Sequence, residues 1–434
     1  MSELRVLHVI TRLIVGGAQE NTLFTAIGQH RTPGFRVTLL AGIDDGPEGN
    51  LHAEARAAGV DLQLMRELVR PIAPLTDTIA LAKLTAFCRR GHYDIVHTHS
   101  SKAGILGRLA ARAAGVPVVV HTLHSLVFGE HATSTQNAVY VVLKRMVAPL
   151  THRFISVCDA TRRGALAAGI GRPEQHCTVY SGFPIEPFLR IREDLSVPEA
   201  KRRVGLAPDH LVVGKVARIS QQKGHDYFVE AARRIAAVEP RARFLLVGDG
   251  NQRKVIEDRI NQHGLRERFV LTGLVPPEAV PALIQAMDVV VHTSVREGLA
   301  RVIPQAAAVG KPAVGFALDG TPEAIEDGVS GFCTRPYDAA DVAVRVLEIL
   351  PDEDRRRRMG EAGRAFAAVN FPVGVMVERI SGVYREILRQ RLPDRPSFPA
   401  SPAAPGPDHG PKTEEQSTGP VHWNREGAQS SAKR

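Results

Sequence analysis

What this chain lacks removes several classes of function at once. Four cysteines in 434 residues (Cys88, Cys158, Cys177 and Cys333) show no C-x-x-C spacing. That argues against a zinc ribbon or a disulfide framework and for a reducing compartment. Aromatic residues make up 5%, with a single Trp, and no basic stripe is interleaved with them; nucleic acid is therefore not an expected partner. No apolar stretch approaches the roughly 18 residues of a membrane-spanning helix. Met1-Ser2-Glu3-Leu4 runs into a strand-like segment without a signal-peptide pattern, so the expected location is cytoplasmic. G-x-G-x-x-G is also missing, which removes the dinucleotide fingerprint.

What remains is ample for packed cores. Hydrophobic residues are 44% of the chain, and its length points to two domains plus extras. The net charge is +9, and it is unevenly spread: residues 1–190 carry 20 Lys and Arg against 14 Asp and Glu, residues 191–390 carry 29 against 27. A basic first half suits an anionic partner, either a phosphate-bearing substrate or acidic lipid headgroups. A merely solvated surface is the plainer reading.

β-rich runs alternate with helix-like stretches along the first half. Leu4 to Ile10, Arg36 to Ala41, Asp94 to His99, Val116 to His121 and Arg153 to Val157 read as strands; Val15 to Glu20 turns into a helix running to about Gln29, and another helix runs from Ser101 to about Ala114. The pattern restarts at Leu211 to Ala217 and continues through strands at Arg243 to Gly248, Phe269 to Thr272, Asp288 to Thr293 and Ala313 to Phe316. Strand–helix alternation of this kind predicts parallel sheets wound on both faces. The expected division is 1–190, 191–371, a helix over 372–391, and a disordered Pro/Ser/Gly-rich tail over 392–434.

The densest functional signal is Arg296-Glu297-Gly298-Leu299-Ala300-Arg301-Val302-Ile303-Pro304-Gln305. It follows the buried-strand pattern of Val289 to His292, and open α/β sheets bind ligands just past the carboxyl ends of their strands. From Leu299 the chain reads as a helix start, whose free N–H groups favour anionic or hydroxyl-rich ligands. Arg218 and Lys223 bracket the loop after the strand Leu211 to Ala217, beside Gly224; two cations there suit a diphosphate that gains charge on leaving. Gly16-Gly17 lies between the first strand and its helix, where a backbone free of side chains admits a close ligand. His97 and His99 alternate on one strand and invite a metal reading, but neither a third ligand nor an acidic partner stands at metal-site spacing. Ser101 is a candidate helix cap, and Lys102 in the first turn sits where the dipole disfavours a cation, hinting at an anionic contact. Gly320-Thr321-Pro322-Glu323 reads as a structural helix start.

The 296–305 segment resembles the donor-binding motif of retaining glycosyltransferases of the GT-B fold, family 4, in which one Glu is followed by seven residues and a second Glu. Here the first is Glu297, while Gln305 holds the second position. The resemblance implies two Rossmann-like domains facing across a cleft, with the last helix crossing back to the first. The acceptor is not written in that motif: the basic first half and Ser100 to Arg108, which resembles a stretch common in bacterial polysaccharide glycosyltransferases, favour a glycan or polyprenyl-diphosphate-linked acceptor at the inner membrane. The donor-motif resemblance implies transfer from a nucleotide-diphosphate sugar, a UDP-sugar first, with no metal or other cofactor. It places Arg218 and Lys223 on the diphosphate, Glu297 and His124 on the sugar and Gln305 on the ribose. Gly17, Gly248, Gly250, Gly273, Leu274, Gly298, Leu299 and Ala300 complete the donor side, and Gly16, His99 and Lys102 face the acceptor. Val139 to Val147, apolar with a basic pair, reads equally as a core helix or as a segment lying on a bilayer. Two alternatives stay open: a non-catalytic sugar-nucleotide-binding module, encouraged by Gln305, and a sugar-nucleotide epimerase, which would require carboxylates around the sugar.

Overall fold

The computed structural model describes residues 3–43, 49–125 and 134–392. Seven strands build the first sheet: β1 Leu4–Arg12, β2 Phe35–Gly42, β3 Asp61–Met65, β4 Ile95–Thr98, β5 Val118–Leu123, β6 Arg153–Ser156 and β7 His176–Thr178. All pair in parallel, in the order 3-2-1-4-5-6-7. Six form the second: β8 Leu211–Val216, β9 Ala242–Val247, β10 Phe269–Gly273, β11 Val289–His292, β12 Ala313–Phe316 and β13 Gly331–Thr334, in the order 10-9-8-11-12-13. β4, β5 and β11 are buried at every residue, as strands covered by helices on both faces must be. The expected architecture, two Rossmann-like parallel sheets, is what the chain adopts.

Each sheet reverses its winding once, between β1 and β4 and between β8 and β11. Such switch points open a crevice at the carboxyl ends of the strands. The residues placed there are Leu13 to Gly17, His99 to Lys102, Ala217 to Gly224 and Thr293 to Gly298.

The final helix, Val373–Arg391, buries Met376, Val377, Ile380, Tyr384, Ile387 and Leu388 in the same core as Leu4, Val6 and Leu23 of the first sheet's layer. A side chain at Gly28 would put its Cβ 2.5 Å from Val377 Cγ2, so only glycine allows this helix to lie so close to the Gly17–His30 helix. The joining stretch 185–198 is largely helical, with Ser196 Oγ capping the Val197–Arg203 helix. The tail from 393 onward lies outside the described residues.

Two local expectations change. The helix expected from Leu299 starts at Val302, so Leu299 to Arg301 form the turn before it. The cap of the Ser101–Ala113 helix is Ser100 rather than Ser101; its hydroxyl bonds Thr11 Oγ1 at 2.7 Å instead of capping.

Candidate active site

Past the end of β8 the chain makes a short turn over Gln221–Lys223 and reaches Gly224 at φ +59°. A Cβ there would lie 2.0 Å from the Thr293 carbonyl oxygen, so glycine brings the β8 loop onto the end of β11. Thr293 Oγ1 donates to the Gly224 carbonyl at 2.7 Å and accepts from Lys215 Nζ at 2.9 Å. Val295 N–H donates to Gln222 at 2.9 Å. These bonds hold Lys223 against Glu297, whose Oε1 accepts from the ammonium and lies 3.9 Å from His292 Nε2. Asp319 Oδ2 accepts from the Glu297 backbone N–H at 2.7 Å and orients the loop.

Charge in this cluster is balanced rather than uniform. Burial pushes the Glu297 carboxyl up, but Lys223 and His292 outweigh it and hold the group below its ordinary value. Burial, with Lys223, lowers Lys215 to about 7 against the pull of Glu297. Burial takes His292 to about 3. Near neutral pH the site thus holds the Glu297 carboxylate against Lys223, the Asp319 carboxyl that burial pushes up, a buried lysine whose charge burial disfavours, and a neutral imidazole. Arg218 is exposed at the mouth, and the neutral His225 Nε2–H donates to its carbonyl at 2.9 Å, fixing the loop.

The first sheet closes over this cluster. A Cβ on Gly298 would sit 2.0 Å from the carbonyl oxygen of His124. Arg301 ion-pairs with Glu20 and reaches the Gly17 carbonyl at 3.5 Å, with its guanidinium 5.8 Å from the centre of the Phe24 ring. Glu323 accepts from the backbone N–H groups of Asp159 and Ala160 at 2.6 and 2.7 Å, at the start of the Asp159–Ala167 helix. His124, Gly16-Gly17, Glu297 and Gly298 therefore converge, and burial together with Arg301 lowers His124 to about 3.

Other residues are placed differently from expectation. Lys102 is buried, ion-paired with Asp77 and bonded to the Pro71 carbonyl, so it does not face an anionic acceptor; its unfavourable helix position is compensated from a neighbouring helix. His99 has no exposed surface and stands behind His124 instead of facing the acceptor. Leu299 and Ala300 are buried, leaving only their backbone for a ligand. Gly248 and Gly250 let the β9 loop nest on the β8 loop, where a Cβ would come within 2.2 Å of the Ala217 oxygen and 2.4 Å of the Ile219 oxygen. Gly273, at φ +71°, is followed by Leu274, which is 64% exposed. A side chain at Gly17 would meet nothing within 4 Å. Gln305 is half-buried and makes no side-chain hydrogen bond among the described residues. Lys215, His292, Arg301, Glu20 and Asp319 belong to the cluster but were not singled out from sequence; a lysine inside the apolar run of β8 was the available signal.

A cleft of about 500 Å³, lined by Lys201, Lys311 and Arg356 among others, lies at the opposite, amino ends of β8, β11 and β12. Cavity size does not mark the site; strand ends and side-chain chemistry do.

Two family descriptions match the chain in order: "Glycosyl transferase 4-like domain" over residues 16–182 and "Glycosyl transferases group 1" over residues 196–366. Both halves of the chain thus match glycosyltransferase domains, and the chain is a glycosyltransferase with the two-domain GT-B fold. It is 29% identical over 325 residues, 74% of its own length and 82% of the relative's, to the Escherichia coli UDP-Gal:alpha-D-GlcNAc-diphosphoundecaprenol alpha-1,3-galactosyltransferase. It is 29% identical over 306 residues to the alpha-D-kanosaminyltransferase of Streptomyces kanamyceticus, covering 67% of this chain and 77% of that one. Among solved structures it is similar to Anabaena HepE in complex with UDP-glucose, with a TM-score of 0.73 and 25% identity over 88% of this chain and all of that one. The fold is shared with sucrose-phosphate synthase of Thermosynechococcus elongatus, with a TM-score of 0.75 and 18% identity over 89% of this chain and all of that one.

Proposed function

We propose that the chain transfers a hexosyl or N-acetylhexosaminyl unit from a UDP-sugar to a glycan or polyprenyl-diphosphate-linked acceptor, with retention of anomeric configuration and without a metal. The observation that carries this is the Lys223–Glu297 pair at the second switch point, with Arg218 at its mouth and His124 and Gly16-Gly17 opposite. Arg218 and Lys223 take the diphosphate, Glu297 and His124 the sugar hydroxyls, and Gln305 the ribose, where its amide replaces a carboxylate. The bond from the anomeric carbon to the diphosphate oxygen breaks, and the acceptor oxygen forms its bond on the same face. The acceptor proton passes to the departing phosphate. Catalysis is then positioning plus stabilisation of charge growing on the diphosphate. The UDP-Gal-dependent galactosyl transfer of the Escherichia coli relative and the UDP-glucose held by Anabaena HepE support this donor class.

A peripheral contact with the inner face of the membrane is part of the same proposal. Among the described residues no helix is long and apolar enough to cross a membrane. The Ser134–Val147 helix exposes Val139, Val142 and Met146, and the Pro74–Gly91 helix exposes Leu75 and Ile79. Lys144 is buried, however, so the basic pair expected to meet headgroups is only half available.

The test is UDP release from a panel of UDP-sugars, with and without a lipid-linked acceptor, alongside GDP- and ADP-sugars. Acceptor-dependent UDP release with an α-linked product from an α-linked donor is expected. Tight donor binding without turnover on any acceptor would favour the binding module, and interconversion of the sugar alone would favour the epimerase.

A further inference from the structure

Behind His124, the first sheet holds a continuous chain of side chains. Gln29 Oε1 lies 2.9 Å from His8 Nε2, His8 Nδ1 lies 3.1 Å from His99 Nε2, and His99 Nδ1 lies 3.2 Å from His124 Nε2. Gln29, His8 and His99 have no exposed surface. The register explains the alignment: His8 on β1 sits opposite His97 on β4, His99 follows that strand, and His124 follows β5. His97 lies beside the chain without joining it, since its two ring nitrogens pair with Tyr384 Oη at 2.5 Å and Thr122 Oγ1 at 2.7 Å.

Burial lowers His8 to about 4 and His124 to about 3, and takes His99 well below the ordinary range. Near neutral pH each ring carries one N–H. A neutral imidazole has one donor and one acceptor nitrogen, so all three links must point the same way, and the group at the end decides which. With Gln29 Oε1 accepting from His8 Nε2–H, His8 Nδ1 accepts from His99 Nε2–H and His99 Nδ1 accepts from His124 Nε2–H. His124 Nδ1 is then a lone pair with no partner among the described residues, on a residue that keeps partial exposure.

We propose that Gln29, His8 and His99 are positioning residues that hold His124 in its Nε2–H tautomer, so that its Nδ1 accepts a hydrogen bond from a hydroxyl of the bound sugar. The contact with sugar rests on the transferase reading above; the fixed tautomer does not. A metal is the competing occupant, because one ring nitrogen each from His8, His97 and His99 lie within 4.8 Å of one another. The hydrogen bonds already engage both nitrogens of all three rings, which favours the relay.

The experiment uses the full chain labelled with ¹⁵N-histidine at pH 7.5, with the His124 signal identified by its loss in His124→Gln. The expected spectrum shows His8, His99 and His124 neutral and protonated at Nε2. In His99→Phe and in Gln29→Leu, His124 should become a mixture of tautomers, and kcat should fall roughly tenfold, the size of one lost hydrogen bond. His97→Gln should leave the His124 signal where it was. A wild-type His124 protonated at Nδ1, or a His124 signal unmoved in both variants, would overturn the relay. Stoichiometric Zn²⁺ shifting the His8, His97 and His99 signals together would do the same in favour of a metal site. A tautomer that changes while kcat does not would keep the relay and remove the sugar contact.

Discussion

Replacing Glu297 by Gln keeps the shape of the side chain and removes the carboxylate that pairs with Lys223. Two unit charges about 4 Å apart at an effective dielectric of about 20 attract by about 4 kcal/mol. Here the side chains keep 27% and 20% of their exposure, so water screens the pair, and desolvation offsets much of what is left. The expected net loss of folding stability is about 1 kcal/mol. Turnover should suffer more. A group aimed at a sugar where charge develops typically contributes about 10²- to 10³-fold in kcat, or roughly 3–4 kcal/mol. Calorimetric melting and UDP release, measured on the same preparation, separate the two effects. Glu297→Gln should melt within a few degrees of the parent yet transfer sugar at least about a hundredfold more slowly. Turnover within a few-fold of the parent, or a loss tracking unfolding alone, would refute the assignment of Glu297 to the sugar.

Four further outcomes are expected. Arg301→Met should lower kcat/KM and loosen the contact between the two sheets' layers, because it removes the pairing with Glu20 and the bond to Gly17; small-angle scattering with and without UDP reads the loosening, and an unchanged profile with unchanged activity counts against it. The histidines at 8, 124, 225 and 292 are lowered by burial to about 4 or 3, so their stabilising neutral form is fully present above the unfolded value of about 6.5 and is lost as pH falls toward 4; each adds about 1.4 kcal/mol per pH unit to the slope, and a flat melting temperature between pH 7 and 4.5 would contradict it. EDTA should leave transfer intact, while inhibition reversed by Mn²⁺ or Mg²⁺ would show a metal at the diphosphate. Gln305→Leu should raise the donor KM several-fold with little change in kcat, and Gln305→Glu should bind donor equally or more tightly; a Leu variant with wild-type KM would make position 305 a packing site.

Much of this architecture is written locally. The apolar runs of β4, β5 and β11 show a buried parallel sheet, and the residues just past β8 and β11 carry Lys223 and Glu297. What stays hidden depends on contacts between distant parts of the chain. Arg301 lies inside the donor motif, but its partner Glu20 is 281 residues away. Lys102 looks misplaced in its own helix until Asp77 arrives from another. His97 and His99 look like an incomplete pair until strand order places His8 beside them, because β1 and β4 are neighbours only in the folded sheet. The short edge strand β3, with Asp61, Gln63 and Leu64 exposed, carries too little apolar pattern to be read as a strand.

If Lys223 takes the diphosphate and Glu297 the sugar as proposed, their pairing also constrains how donor recognition is ordered. In the free chain Glu297 is the anion that Lys223 holds, and it sustains part of the charge on Lys215. A nucleotide diphosphate brings a second, stronger anion to the same ammonium. As Lys223 turns toward it, Glu297 loses its principal cation and gains lone pairs with no partner, an arrangement that is costly in a buried site. Sugar hydroxyls supply the missing donors. Binding of the diphosphate and of the sugar are then coupled through one side chain, so UDP alone should bind less tightly than UDP-sugar by more than the sugar's own contacts explain. The coupling passes through the Glu297 carboxylate, and in Glu297→Gln the difference between UDP and UDP-sugar affinity should shrink. A difference unchanged in that variant would mean that Lys223 holds the diphosphate without releasing Glu297.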